Sequence, residues 1–175
     1  MATAQFLQQD PVASVVQHDE VYERRVAVDG EYCFIRASPH SIIHQYYPSA
    51  MDQDIQTGDG FLLVYNMADR QSFERLDRYY QNILRWKNRS EFPTIVVAIH
   101  EGESGSERVI SEAEGRASAS AMGCQYIEPV LAKEGDVLNV DWVFSELVRE
   151  IRRWARLCTC PVCKVSSTGG RVTTS

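Results

Sequence analysis

Residues 57–86, TGDGFLLVYNMADRQSFERLDRYYQNILRW, read as a turn, a buried strand and an amphipathic helix, in that order. Gly58-Asp59-Gly60 breaks the chain, and Phe61-Leu62-Leu63-Val64-Tyr65 is an apolar run of strand length. Asp69 is placed to cap a helix whose apolar side carries Phe73, Leu76, Tyr80, Ile83, Leu84 and Trp86. A strand buried on both faces and followed by a helix is half of a parallel β-α-β unit.

Working outward, residues 22–28 and 31–35 flank Asp29-Gly30, a dipeptide suited to a type I′ hairpin turn, and predict two antiparallel strands. Residues 94–99 form a second β-branched apolar run. Ser111-Glu112-Ala113-Glu114 has the capping-box arrangement and starts a small-residue helix that runs to Met122 and closes at Gly123. Residues 124–127 are a short strand. Asn139 caps a last helix with the stripe Val140, Val143, Phe144, Leu147, Val148, Ile151 and Trp154. The segments 12–20, 38–51 and 101–107 read as loops. A hairpin followed by alternating strands and helices predicts an α/β sandwich, a mixed and mostly parallel sheet with helices on both faces.

With 175 residues, the chain is one domain with a tail. No apolar run approaches the roughly 20 residues that span a bilayer, and MATAQFLQQD lacks the pattern of a signal peptide, so a cytoplasmic protein is expected. Five cysteines, three of them between 158 and 163, suit reduced thiols better than a disulfide framework. The net charge of −6 hides an asymmetry. Between 149 and 175, six basic residues face the single acid Glu150, which leaves a strongly acidic body and argues against nucleic acid as a partner. The basic end suits an acidic partner or an anionic membrane surface, or is simply a solvated helix end favoured by the helix dipole.

Two segments carry a family likeness. The first is Tyr22-x6-Asp29-Gly30-Glu31-x-Cys33, followed by Ser49-Ala50-Met51, Thr57-Gly58-x-Gly60-Phe61 and Ser72-Phe73-Glu74. The second is Val140-Asp141, Phe144 and Leu147-Val148-Arg149-Glu150-Ile151-Arg152. In order and spacing these resemble the Ras branch of the small GTPases, over residues 2–157. The resemblance implies the P-loop NTPase-like three-layer sandwich, with GTP or GDP and Mg2+ as ligands in the family, a role as a GTP-controlled signalling switch, and effector or regulator proteins as partners.

The likeness weakens at the nucleotide site. These residues contain no GxxxxGK[ST], the loop whose backbone N–H groups and lysine hold phosphates. Residues 3–8 resemble the helix after that loop, so the chain is expected to be N-terminally truncated, without the family's first strand and P-loop. The family's magnesium-binding Thr aligns with Gln17, its Asp-x-x-Gly falls in ASPHSII (37–43), and its catalytic Gln has only Gln45 as a poor counterpart. The guanine-reading Asn-Lys-x-Asp maps to Ile99-His100-Glu101-Gly102. Ile127-Glu128 with Ala132 and Lys133 falls at the Glu-Thr-Ser-Ala-Lys loop, so Ala132 and Lys133 are the nucleotide-binding positions that persist. No catalytic residue and no cofactor are expected in this chain. In the family the first strand lies between those corresponding to 31–35 and 61–66; its loss predicts that these two close up and pair, or that the chain is incomplete.

Asp19 and Glu20 sit where the family has its effector-binding acids, next to an edge strand, or are solvated acids before it. His40 and His44 have the spacing of a helical zinc pair but lack the accompanying Glu and a third ligand. Cys158, Cys160 and Cys163 are too few for a structural zinc site. Behind Arg149, Arg152, Arg153 and Arg156 they read as palmitoylation sites, which would hold the protein at the inner face of the plasma membrane, or as unmodified thiols; Val-Thr-Thr-Ser at the end is no prenylation signal. Residues 158–175 have too little apolar surface to order themselves and are expected to be disordered. The reading is a pseudo-GTPase or interaction module of the Ras type. The alternatives are a working GTPase represented by an incomplete chain and an unstable product without a function of its own.

Overall fold

A computed structural model describes residues 22–39, 55–100, 107–129, 140–157 and 170–174. In chain order the elements are β1 (Tyr22–Val28), β2 (Glu31–Pro39), β3 (Gly60–Asn66), α1 (Arg70–Glu74), α2 (Leu76–Lys87), β4 (Thr94–Ile99), α3 (Glu112–Ala121), β5 (Gln125–Ile127), α4 (Val140–Leu157) and β6 (Gly170–Thr174). The strands form a single sheet ordered β1-β2-β6-β3-β4-β5.

The hairpin forms at its predicted turn. Asp29 and Gly30 both take positive φ, 55° and 80°, as a type I′ turn requires, and β1 and β2 pair antiparallel with Val28 opposite Glu31. β3 and β4 run parallel, with Phe61 opposite Thr94 and Asn66 opposite Ile99. Alternation along both strands splits the core into two. Phe61, Leu63, Tyr65, Val96 and Ala98 face Leu76, Tyr80 and Ile83 of α2 together with Ile110, Ala119 and Met122. Leu62, Ile95, Val97 and Ile127 face Val143, Phe144, Leu147 and Val148 of α4, joined by Val28, Ile35 and Ala37 from the hairpin. Both faces of β3 are covered, which is why its sequence is a continuous apolar run. Each fully buried Leu or Ile stabilises the fold by about 1.5–3 kcal/mol.

The helix predicted after Asp69 starts there: the Asp69 carboxylate accepts the Gln71 N–H at 2.9 Å. It is divided at Arg75, which keeps helical dihedrals, and α2 ends at Asn88 in the left-handed region (φ 51°). Ser111 caps α3 by accepting the Glu114 N–H. Among the described residues no helix is long and apolar enough to cross a membrane.

One expectation is corrected. Residues 170–174, expected within a disordered tail, form β6, and β6 occupies the place of the family's first strand, between β2 and β3. It runs parallel to both flanking strands, Ile35 to Pro39 matching Gly170 to Thr174 and Gly60 to Leu62 matching Val172 to Thr174. β2 and β3 therefore neither close up nor stand apart. The physical reason is that two facing strand edges inside a covered sheet leave backbone N–H and C=O groups unpaired, and any extended segment within reach satisfies them.

Candidate functional site

In open α/β sheets ligands bind beyond the carboxyl ends of the strands. Here those ends are Asn66 and Met67 after β3, Ile99 and His100 after β4, and Glu128 after β5. The turn after β3 is closed by its own side chains. Asn66 Oδ1 accepts the Ala68 N–H at 3.0 Å, Ser72 Oγ accepts the Asn66 N–H at 3.0 Å, and Ser72 Oγ–H donates to the Asp69 carbonyl at 2.8 Å. Met67 ties the neighbouring segments together: its N–H donates to the Ile99 carbonyl (2.8 Å), and its own carbonyl accepts from Val109 (2.9 Å) and Ile110 (3.0 Å).

Beside this turn lies a polar cluster that the sequence did not reveal. Arg108 forks onto Glu128 at 2.7 and 2.9 Å, and its Nε donates to the Ile110 carbonyl at 2.7 Å. Tyr126 donates its hydroxyl to the same carboxylate at 2.7 Å, and the Tyr65 hydroxyl lies 3.4 Å from that of Tyr126. The Arg108 hydrogen bonds, with help from Tyr126, hold the Glu128 carboxyl below its ordinary pKa against the effect of partial burial. Burial pushes both tyrosines up. Arg70 pairs with Glu114 at the start of α3, and Arg116 stands 5.0 Å over the Tyr126 ring. The one legible signal was Gly115 inside a helical pattern, which marks a close approach. A Cβ there would lie 2.7 Å from the Tyr126 ring and would also meet the Tyr65 hydroxyl.

This cluster fixes the segments around the strand ends; its charges are spent on one another. Ile99, at the position that the resemblance gives to the base-reading Asn, packs against the α4 cluster and offers no side-chain donor or acceptor. His100, at the position of the Lys, is half-buried. Where the family's first strand would lead into its phosphate-binding loop, the strand is β6. Ile99 thus lacks the side-chain amide with which the family reads guanine.

Asp19, Glu20, Ala132, Lys133, Cys158, Cys160 and Cys163 lie outside the described residues, as do His40, His44, Gln17, Gln45, Glu101, Gly102 and Asn139. The basic residues of α4 are described, and three are engaged on this chain. Arg149 pairs with Asp29 and Glu146, Arg152 donates to the Val28 carbonyl at 2.9 Å and pairs with Glu31, and Arg153 pairs with Glu150. Two of these charges, Arg149 and Arg152, thus anchor the hairpin to α4.

A second ionisable site was also missed. Lys87, at the end of α2, donates to the carbonyls of Gln56 (2.9 Å) and Gly58, with its Nζ 4.6 Å from the centre of the Phe92 ring. Burial pushes its pKa down to about 8, against the opposing pull of Asp59.

The model of the Ras family matches residues 18–153, a span that ends before β6. A Ras-like protein of Laccaria bicolor is 38% identical over 144 residues, covering 82% of this chain and 66% of the relative. Protein ras-1 of Neurospora crassa is 38% identical over 136 residues, covering 77% of this chain and 61% of the relative. The chain thus spans less than two thirds of the length of these relatives.

Proposed function

This chain belongs to the Ras family of small GTPases, and from that premise we propose that it acts as a signalling interaction module in which guanine-nucleotide handling is lost or badly impaired. The observation that carries the reading is the end of β4. Ile99 packs into the α4 cluster at the base-reading position, and Gly102 stands in the sequence where the family has the carboxylate that accepts from guanine. Charge-assisted hydrogen bonds contribute roughly 1.5–3 kcal/mol each. Losing three weakens binding by about three or more powers of ten. Phosphoryl transfer depends almost wholly on positioning and electrostatics by these same groups, so hydrolysis falls with binding. Ala132 and Lys133 alone do not replace them.

The partners that suit this reading are effector or regulator proteins. Asp19 and Glu20 precede β1, the edge strand of the sheet, where an added strand would find open backbone groups. Contact with an anionic membrane through Cys158, Cys160 and Cys163 is a further part of the proposal. It has weaker support, since three of the four arginines before them are paired within the chain.

Calorimetric titration of this chain with GTP and GDP in the presence of Mg2+ tests the reading. The expected result is no binding below the micromolar range; sub-micromolar affinity for either nucleotide would overturn it. A second reading, a working GTPase of which these residues are a part, draws support from the chain's coverage of only 66% and 61% of its relatives. The intact mass of the endogenous protein tests it: a mature chain carrying a P-loop would favour that reading.

A further inference from the structure

β6 sits at the centre of the sheet, yet it is the element most easily detached from it. Its register spans five residues on β2 and three on β3. Residues 158–169 join it to the end of α4, and no described element follows it. Its withdrawal breaks no other pairing. β1 and β2 remain a hairpin, and β3, β4 and β5 remain a parallel block. Each part keeps its own packing on α4, the hairpin through Val28 and Ile35 and the block through Leu62 and Ile95. What withdrawal leaves is a slot with backbone donors and acceptors on both sides. Such groups are costly to leave unpaired in a covered sheet.

We propose that the slot between β2 and β3 is a strand-acceptor site, and that a second copy of this chain fills it with its own residues 170–174 to give a strand-exchanged dimer. The exchanged strand makes the same ladder in the same register, so monomer and dimer differ only in the connection and in mass action. The connection has the reach: twelve residues extend up to about 40 Å, more than the width of a small domain. The occupant is specified by the structure itself, because this segment is the one whose register in the slot is observed. Its sequence, Arg-Val-Thr-Thr after Gly170, is rich in β-branched residues that favour extended backbone.

The test uses the full chain carrying Val172→Pro, which removes a ladder donor from a central strand and disables self-donation. A fluorescent peptide spanning residues 168–175 is the probe. The expected result is saturable one-to-one uptake by the variant, with apparent affinity about tenfold or more above that for the unmodified chain, whose slots are mostly filled. The same peptide carrying the proline should not bind. If the variant does not fold alone, recovery of its far-UV circular dichroism on adding the peptide serves as the same readout. In parallel, the unmodified chain refolded from urea at high concentration should give a dimer by light scattering, and Val172→Pro should give none. Failure of either arm overturns the proposal. Absence of peptide uptake or rescue denies the acceptor site, and uptake with an unmodified chain that stays monomeric denies exchange between copies.

Discussion

Arg149 of α4 reaches the turn of the β1–β2 hairpin and holds the Asp29 carboxylate with Nη2 at 2.8 Å and Nε at 3.1 Å. Asp29 is also one of the two positive-φ residues that make the turn. One residue thus sets the hairpin geometry and attaches it to the helix. Hydrogen bonding from Arg149 holds the Asp29 carboxyl below its ordinary pKa. A depressed carboxyl contributes stability above its unfolded-state pKa and loses it as pH falls through the folded one. Both partners are exposed, so the effect on global stability is small. Arg149→Ala should lower Tm by no more than about 2–4 °C at neutral pH, with the difference vanishing in acid. Hydrogen exchange should quicken selectively at residues 26–33, and unchanged exchange there would show that the pair does not anchor the hairpin.

Lys87 supplies a pH signature of the same sense in an alkaline window. Its folded pKa of about 8 lies below the ordinary lysine value, so between pH 8 and 10.5 the unfolded chain holds more protons. The Lys87 contribution to stability should therefore rise with pH through that window, by about 1–2 kcal/mol once solvent screening of a part-exposed group is allowed for. Urea unfolding of the protein and of Lys87→Met at pH 7.5 and 10 measures the difference. Burial raises the Cys124 pKa to about 11, which works against stability over the same range in both proteins, so the prediction is a difference. On going to pH 10 the protein should fare better than Lys87→Met by about that amount.

Gly115 makes room for two hydroxyl-bearing rings. Alanine there recovers up to about 1 kcal/mol of helix propensity. It also places a methyl 2.7 Å from the Tyr126 ring and against the Tyr65 hydroxyl, and overpacking of this kind costs about 1–3 kcal/mol. Gly115→Ala should be destabilising in urea titrations. Adding Tyr65→Phe should restore part of the loss but not all, because the Tyr126 ring remains.

Thr94 opens β4 with a hydroxyl that is buried and has no hydrogen-bond partner among the described residues. An unsatisfied buried polar atom costs about 1–3 kcal/mol. Thr94→Val keeps the shape and removes that atom, so it should stabilise the protein by about 1 kcal/mol. Thr94→Ser keeps the hydroxyl and loses a methyl, and it should destabilise by a similar amount. Equal Tm values for the two variants would contradict this account.

The fold was legible wherever local chemistry and burial agreed. Residues 94–99 form a strand with the bounds that the sequence indicates, Asp69 and Ser111 cap as their side chains suggest, and Asp29-Gly30 turns as the dipeptide demands. β6 was not legible. Five residues are too few to show a period, and averaging over 158–175 buried them in a polar, Gly- and Ser-rich segment. What orders them is the open edges of β2 and β3; their β-branched residues favour extended backbone but do not specify a partner. The candidate site was half legible. Replacements such as Ile99 stand out against a family pattern, whereas the Arg108–Glu128–Tyr126–Tyr65 cluster joins residues distant in sequence by contacts that leave no periodic trace.

The position of β6 also sets a timetable. Its partners in the sheet, Ile35 and Gly60, precede it by over a hundred residues, so the middle of the sheet is paired only after every other described element has been synthesised. Contacts of such separation form slowly. Until residues 170–174 emerge from the ribosome, the facing edges of β2 and β3 lack the strand that pairs them. Those edges are the kind of surface that aggregates or recruits chaperones. Synthesis of this protein should therefore depend on chaperone supply more than its size suggests.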